Sequence, residues 1–330
     1  MKQHLHLLIL LLFALPVEAQ PTLESLLRAV DAAIEDSEQY EKDKMQRITL
    51  IKDGLKVSGL SLEEEYRINL RLYTEYEAYI CDSARHYINR NIELAVRLNN
   101  REWLNESKLK KVHILATSGL YAEGLRLLET INKQHLSDRL LVDYYMAFEN
   151  IYLYYAEYAQ DDEYMPGYLD KMNSYRDSVL MIVPEGSYQY VIVQGPMLIY
   201  HQQPKEAENL LKTYISGVSS DTREYAILTS ILAFTYQNDS QLELQKMCLA
   251  ESAIADIKAV VKENNSLRAL AELLYEEGAI ERANKYMKKS MADASFYNAR
   301  LRNVQASKML PVIDSSYPVS YTHLTLPTIA

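Results

Sequence analysis

Beyond residue 20, apolar residues recur at helical spacing almost without a break. In "LESLLRAVDAAI", Leu23, Leu26, Leu27, Val30 and Ile34 fall at i, i+3, i+4, i+7 and i+11, one stripe of an amphipathic helix. "SLEEEYRINLRLYTEYEAYI" has a similar period and opens with Ser61 and Glu64, spaced so that each side chain can satisfy a backbone N–H at a helix start. Further starts are expected at Ser137, at Asp221 with Glu224, and at Asn265 or Ser266. No stretch sustains the two-residue alternation of a half-buried strand. The short apolar run "YQYVIVQ", Tyr188 to Gln194, lacks a partner run and is read as the start of a helix. The pattern predicts an all-α protein.

Self-similarity then narrows the architecture. "LRALAELLYEEGAIERANKYMKKS" places Leu267, Leu270, Ala271 and Leu274 along one helix, Gly278 at a turn, and Ala283, Met287 and Ser290 along a second. This arrangement resembles the tetratricopeptide repeat (TPR), a helix–turn–helix unit. Small Ala271 and Ala283 let two helix backbones approach, the leucines fill the seam, and glycine ends the first helix in left-handed geometry. Weaker copies contain Gly119 and Gly124 with Leu115 and Leu128, then Gly195 and Ala207 with Val191, Leu198 and Leu211. Another has Ala233 beside Leu232 and Tyr236, with Gln245 where a small residue is expected, and Ala84 with Ile88 mark a possible earlier unit. These positions recur at about 40 residues or its double, against a usual period of ~34, so helices run long or turns are enlarged, as in "QDDEYMPGY". The expected fold is an antiparallel helix-pair superhelix, a TPR-like α-solenoid. Its divisions are an N-terminal helical region with a degenerate repeat over 20–105, TPR-like repeats over 106–310, and a terminal stretch over 311–330.

Composition adds constraints. Nine Gly and nine Pro in 330 residues disfavour turn-dense β folds, and a net charge of −10 argues against non-specific nucleic-acid binding, which needs surplus Lys and Arg. Tyrosine dominates the aromatics, 27 against one Trp and four Phe, and suits sites buried at the ring base and wet at the hydroxyl. Cys81 and Cys248, far apart, make neither a disulfide framework nor a zinc site and read as small buried hydrophobes. "MKQHLHLLILLLFALPVEAQ" has a basic tip, an apolar run and the small-residue pattern Val17-Glu18-Ala19. It is read as a signal peptide over 1–19, cleaved after Ala19 to give an exported chain; the run is shorter than the ~20 apolar residues a membrane span needs.

No compact catalytic signature is present: no HExxH, paired CxxC, GxSxG, GxGxxG or GxxxxGK[ST]. His86, His113, His135, His201 and His323 are dispersed. Asp161, Asp162 and Glu163 lack calcium-loop spacing, and Glu63, Glu64 and Glu65 suit the positive end of a helix dipole. The expectation is a non-enzyme with no cofactor and no metal. The most distinctive stretch is "VDYYMAFENIYLYYAEYAQ". On a helix Tyr144, Phe148, Ile151, Tyr155 and Tyr158 line one side, read as core, with Tyr145 and Tyr152 beside it. Repeat arrays curve and dock partners on the concave face, so Tyr145 and Tyr152 are candidate groove residues for a protein or peptide ligand.

"YEEGAIERANKYMKKSMADASFYNARLRNVQASKMLPVIDSSY", supported by "LAESAIADIKAVVKENNSL", resembles a family of exported TPR regulators of Gram-negative gut bacteria whose domain has no assigned function. The resemblance runs from about Pro21 to Tyr317. It implies a signal peptide, a periplasmic repeat domain, one membrane-spanning helix, a helical connector and a cytoplasmic part that looks like a transcription regulator. The membrane anchor and any DNA-binding role then fall on a C-terminal half this chain lacks. From about Pro318, "PVSYTHLTLPTIA" resembles translated sequencing-adapter DNA and is expected not to belong to the protein. The expected function is a non-catalytic periplasmic sensor or protein-interaction domain, cut before its anchor; the alternative is a soluble periplasmic scaffold for an envelope complex.

Overall fold

A computed structural model describes residues 21–237 and 241–324, with side chains through 316. The helices are α1 (Leu23–Glu35), α2 (Ser37–Asp53), α3 (Leu62–Tyr76), α4 (Cys81–Arg97), α5 (Arg101–Thr117), α6 (Tyr121–Glu129), α7 (Asp138–Ala159) and α8 (Met165–Leu180). They continue as α9 (Tyr188–Tyr200), α10 (Pro204–Ile215), α11 (Arg223–Thr235), α12 (Leu242–Ala259), α13 (Ser266–Glu276), α14 (Ile280–Tyr297) and α15 (Arg300–Leu324). No strand occurs among the described residues.

Local chemistry accounts for several helix starts. The capping box at α3 forms: the Glu64 N–H donates to Ser61 Oγ at 3.2 Å and the Ser61 N–H to the Glu64 carboxylate at 2.9 Å. Ser187 caps α9, so "YQYVIVQ" is helical. Three expected caps differ. Asn265 precedes α13, but its side-chain oxygen accepts from the Arg268 guanidinium. Thr222, not Asp221, caps α11 by accepting from the Tyr225 N–H, and Ser137 precedes α7 but donates its hydroxyl to Glu102 at 2.8 Å.

Consecutive helices pack as pairs, α3 with α4, α5 with α6, α7 with α8, α9 with α10, α11 with α12 and α13 with α14, and successive pairs stack. This is a TPR-type α-solenoid. Ala207, Ala271 and Ala283 are wholly buried and Ala233 nearly so. Gly119 and Gly278 end α5 and α13 at φ +76° and +82°, a region closed to most side chains. At Gly124 an added Cβ would lie 2.9 Å from Ile151, so that glycine sets how closely α6 approaches α7; Gly195 sits against Leu211. The boundary expected between 105 and 106 falls inside α5. The signal peptide expected over 1–19 lies outside the described residues. The α15 backbone runs through Pro318 to Leu324, where the sequence predicts the ordered chain to have ended; residues 325–330 lie outside the description.

Stacked repeats ordinarily touch only their neighbours. Here the ends meet. Leu26, Leu27, Val30 and Ala33 of α1 share a core with Ala250 and Ala253 of α12 and Tyr286 of α14. A second core joins Ile48, Leu72, Tyr76 and Ile88 to Val260, Ala294 and Tyr297. Polar contacts complete the closure: the Lys262 N–H donates to the Ala78 carbonyl at 2.7 Å, the Tyr297 hydroxyl to the Glu77 carbonyl at 2.6 Å, and Lys44 Nζ to the Ala259 carbonyl at 3.0 Å.

Candidate interaction surface

The helical period of α7 and α8 brings their aromatic residues to one seam. Tyr144, Phe148, Tyr152 and Tyr155 follow at three- and four-residue steps on α7, and Tyr168 and Tyr175 lie two turns apart on α8. Phe148 stacks on Tyr175 at 4.6 Å between ring centres, Tyr152 on Tyr175 at 5.9 Å, and Tyr155 on Tyr168 at 5.1 Å. Tyr121 of α6 extends the row to Tyr155 at 5.0 Å. Such offset contacts contribute about 0.5–1.5 kcal/mol each beyond area burial. Beneath the rings, Arg176 of α8 donates to Glu149 of α7 at 2.8 and 2.9 Å, with both side chains nearly buried. Burial raises the Glu149 carboxyl above its ordinary range despite that guanidinium.

Phe148 is buried, whereas Tyr144, Tyr152, Tyr155, Tyr168 and Tyr175 each keep part of their surface in solvent. Tyr158 and Tyr164, at the far end, are 56% and 58% exposed. This revises the expectation for α7. Tyr158, assigned to the core stripe, is open to solvent, with the Tyr121 ring edge-on to it at 6.4 Å between centres. Tyr145 and Tyr152 do not project into an open groove. Tyr145 packs beside Val142, Val179 and Val193 with Lys133 Nζ 5.8 Å from its ring centre, and Tyr152 lies among Tyr155, Tyr168 and Tyr175 with Lys171 Nζ at 5.1 Å. Both belong to the α7–α8 seam.

The second notable site lies where the array closes. Arg223, at the start of α11, pairs with Glu263 at 2.5 Å and with Glu77 at 3.8 Å. Arg302 of α15 pairs with Glu157 of α7 at 2.9 Å, and its guanidinium lies 5.9 Å from the Tyr154 ring centre. Ala116, Thr117, Tyr154, Glu263, Ala299, Leu301 and Arg302 line a cleft there with room for about one water molecule, too small for a ligand. His113 is pushed down to about 4, first by desolvation and then by Arg223. His86 and His201 lie elsewhere, edge-on to Tyr87 and Tyr200. Among the described residues no group of His, Cys, Asp and Glu is arranged to hold a metal, and no helix is long and apolar enough to cross a membrane.

A family model described as the SusR N-terminal TPR domain matches residues 34–308. The chain belongs to the SusR N-terminal TPR domain family. No curated protein matches it. Among solved structures it is similar to a chain of the crystal structure of the APC/C hetero-tetramer Cut9-Hcn1, at 13% identity and a TM-score of 0.47. That alignment covers 85% of this chain and 48% of the other, so the chain spans about half the length of its structural relative. TPR domains generally bind protein partners, and such repeat arrays are generally non-catalytic. In this SusR-type domain the sequence signal for the tyrosine seam was the run in α7 together with Tyr168 and Tyr175 one helix later. The closure network had no signal of that kind, since Glu77, Arg223, Glu263 and Arg302 are scattered along the chain.

One buried acid in the closure carries a pH dependence. Asp256 of α12 is pushed up to about 8 by burial, opposed by Arg223 and reinforced by Glu263. Folded, it holds a proton that the unfolded chain releases near its ordinary 3.8, so its contribution to stability falls as pH rises from about 4 to about 8. Asp256→Asn should remove that slope and stabilise the domain at pH 8 by about 1–3 kcal/mol, with little effect at pH 4. Urea unfolding across this range checks it; an undiminished slope would assign the titration to another group.

Proposed function

We propose that this domain is the sensing module of a larger regulator: exported, non-catalytic, and built to dock a protein partner on the tyrosine seam of α7 and α8. The observation that carries the reading is a row of stacked, partly exposed tyrosines on a helix pair joined by a buried ion pair. Tyrosine offers large contact area and a hydroxyl at low conformational cost, which suits a protein interface. Export rests on the pattern of residues 1–19, and attachment to a membrane anchor and an output domain rests on the resemblance to exported TPR regulators.

Transmission follows from which helices touch. The last described helix, α15, contacts the tyrosine-bearing helix α7 through Arg302 with Glu157 and through Lys308, which donates to Gln160 at 2.7 Å. A partner that shifts α7 perturbs those bonds, and with them the direction in which α15 carries the chain onward. A ligand acts this way only through unequal affinity for the two arrangements.

The test is in-cell photo-crosslinking in the native host, with benzoyl-phenylalanine placed at Tyr158, at Tyr164, or at Glu206 on α10 as control. One envelope protein should be captured from the first two sites and not from the third, on a mature chain beginning at Gln20. Equal labelling from all three positions, or none from Tyr158 and Tyr164, would remove the tyrosine seam from the function.

A further inference from the structure

Helix α1 is bound as a ligand would be. Its apolar stripe seats against α12 and α14, and a hydrogen bond anchors its middle: the Tyr286 hydroxyl donates to the Leu27 carbonyl at 3.0 Å, with both groups buried. Its acidic edge meets a basic one. Arg282 grips both Glu24 oxygens at 2.7 and 2.9 Å and reaches Asp31 at 3.2 Å, while Lys285 pairs with Asp31 at 3.1 Å and Glu35 at 3.2 Å. These partners lie 250 to 259 residues away along the chain.

The connection to the next helix is slight. One residue, Asp36, separates α1 from α2, at φ −82° and ψ −1°. Its ψ differs by about 40° from that of a continuous helix, and its side chain makes no capping bond that would hold the bend. Helix α2 buries only Lys44 and Ile48, so it offers α1 little support. Along the seam an open cleft of about 600 Å³, lined by Asp31, Glu35, Gly278, Arg282 and Lys285 among others, gives water access to the ion pairs.

We propose that the α12–α14 groove also accepts α1 from a second copy of this chain, so that two molecules exchange their first helices by straightening at Asp36. The occupant follows from chemistry. An α1 lifted from its groove exposes Leu26, Leu27 and Val30 together with the alanines and Tyr286 that covered them, and the seat that matches its stripe and its acids is an identical groove. Exchange preserves the contacts within the groove and changes which copy supplies the helix. The proposal does not depend on the tyrosine seam.

Two charge-reversed chains test it. One carries Arg282→Glu with Lys285→Glu, and the other Glu24→Lys, Asp31→Lys and Glu35→Lys. Each alone sets like charges against each other within the molecule, but a one-to-one mixture restores opposite charges at both exchanged seats. Light scattering should give a single-chain mass for each variant and twice that mass for the mixture. The chain combining all five substitutions should regain the wild-type melting temperature, which shows that the reversed pairs still seat α1. In the unreversed protein, Asp36→Ala, which favours a continuous helix, should raise the dimer fraction several-fold. A mixture that keeps the single-chain mass while the combined chain melts like wild type would overturn the proposal, and so would failure of the combined chain to recover.

Discussion

Lys262→Ala is expected to destabilise the folded domain by about 3–5 kcal/mol and to loosen the closure first. Lys262 sits between α12 and α13, its side chain nearly buried, with its ammonium bonded to Glu41 of α2 and to Asp293 of α14 at 2.7 Å. Burial alone would lower its pKa, but Asp293 and Glu41 outweigh that, so it stays charged and its pKa is raised above 10.5. The stabilisation is therefore fully present through neutral pH and is lost only as pH rises beyond that value. Truncation leaves Asp293 buried with Lys289 alone, at 2.9 Å. The sharper readout is regional. Hydrogen exchange should quicken in α2 and in the turn around Ala78, while α7 and α8 keep their protection. Uniform acceleration would mean the ends are not held at this point. Lys262→Met with Asp293→Leu should recover part of the loss, because a well-packed apolar pair avoids the desolvation that a lone buried charge suffers.

Arg176→Met should cost a similar amount, about 3–4 kcal/mol at pH 8, and should do so at the tyrosine seam instead. It strands Glu149, whose carboxyl burial already raises. Without the guanidinium that pKa climbs further, so the folded variant takes up a proton that the unfolded chain, near 4.5, does not hold. Its stability therefore falls as pH rises from about 4.5 through the folded value, and the defect should be milder at pH 5 than at pH 8. Urea unfolding at both pH values measures this, and equal losses would show that Glu149 stays ionised. Replacing both partners, Glu149→Leu with Arg176→Met, should restore most of the stability. The single variant should also weaken crosslinking from Tyr158 and Tyr164, since α8 loses the anchor that sets Tyr168 and Tyr175 against α7. Lys262→Ala should leave that crosslinking intact, which separates the two sites.

Much of the candidate surface was legible as composition and less so as geometry. The tyrosine run in α7 announced an aromatic face, but the run alone does not say which rings meet α8. Tyr145 and Tyr152 looked separate from the core stripe because a helical projection of α7 contains no second helix. Once Tyr175 and Tyr168 arrive from α8, the same two rings become part of the seam. The substitution of Thr222 for Asp221 as a helix cap is a smaller case: both residue types can cap, and the backbone at the end of the preceding turn chose between them.

By itself, the sequence determined the helices, their pairing and the repeat class. Those depend on features that lie within a turn or two of one another: apolar residues at three and four positions, small residues where backbones approach, glycine where a helix must end. Tertiary structure alone decided that α1 and α2 would meet α12 and α14, and that Arg223, Lys262 and Tyr297 would bond to residues near the start of the chain. Each helix pair turns by a small angle relative to the one before, and closure reflects the sum of those angles along the whole array. No local stretch of the chain records that sum.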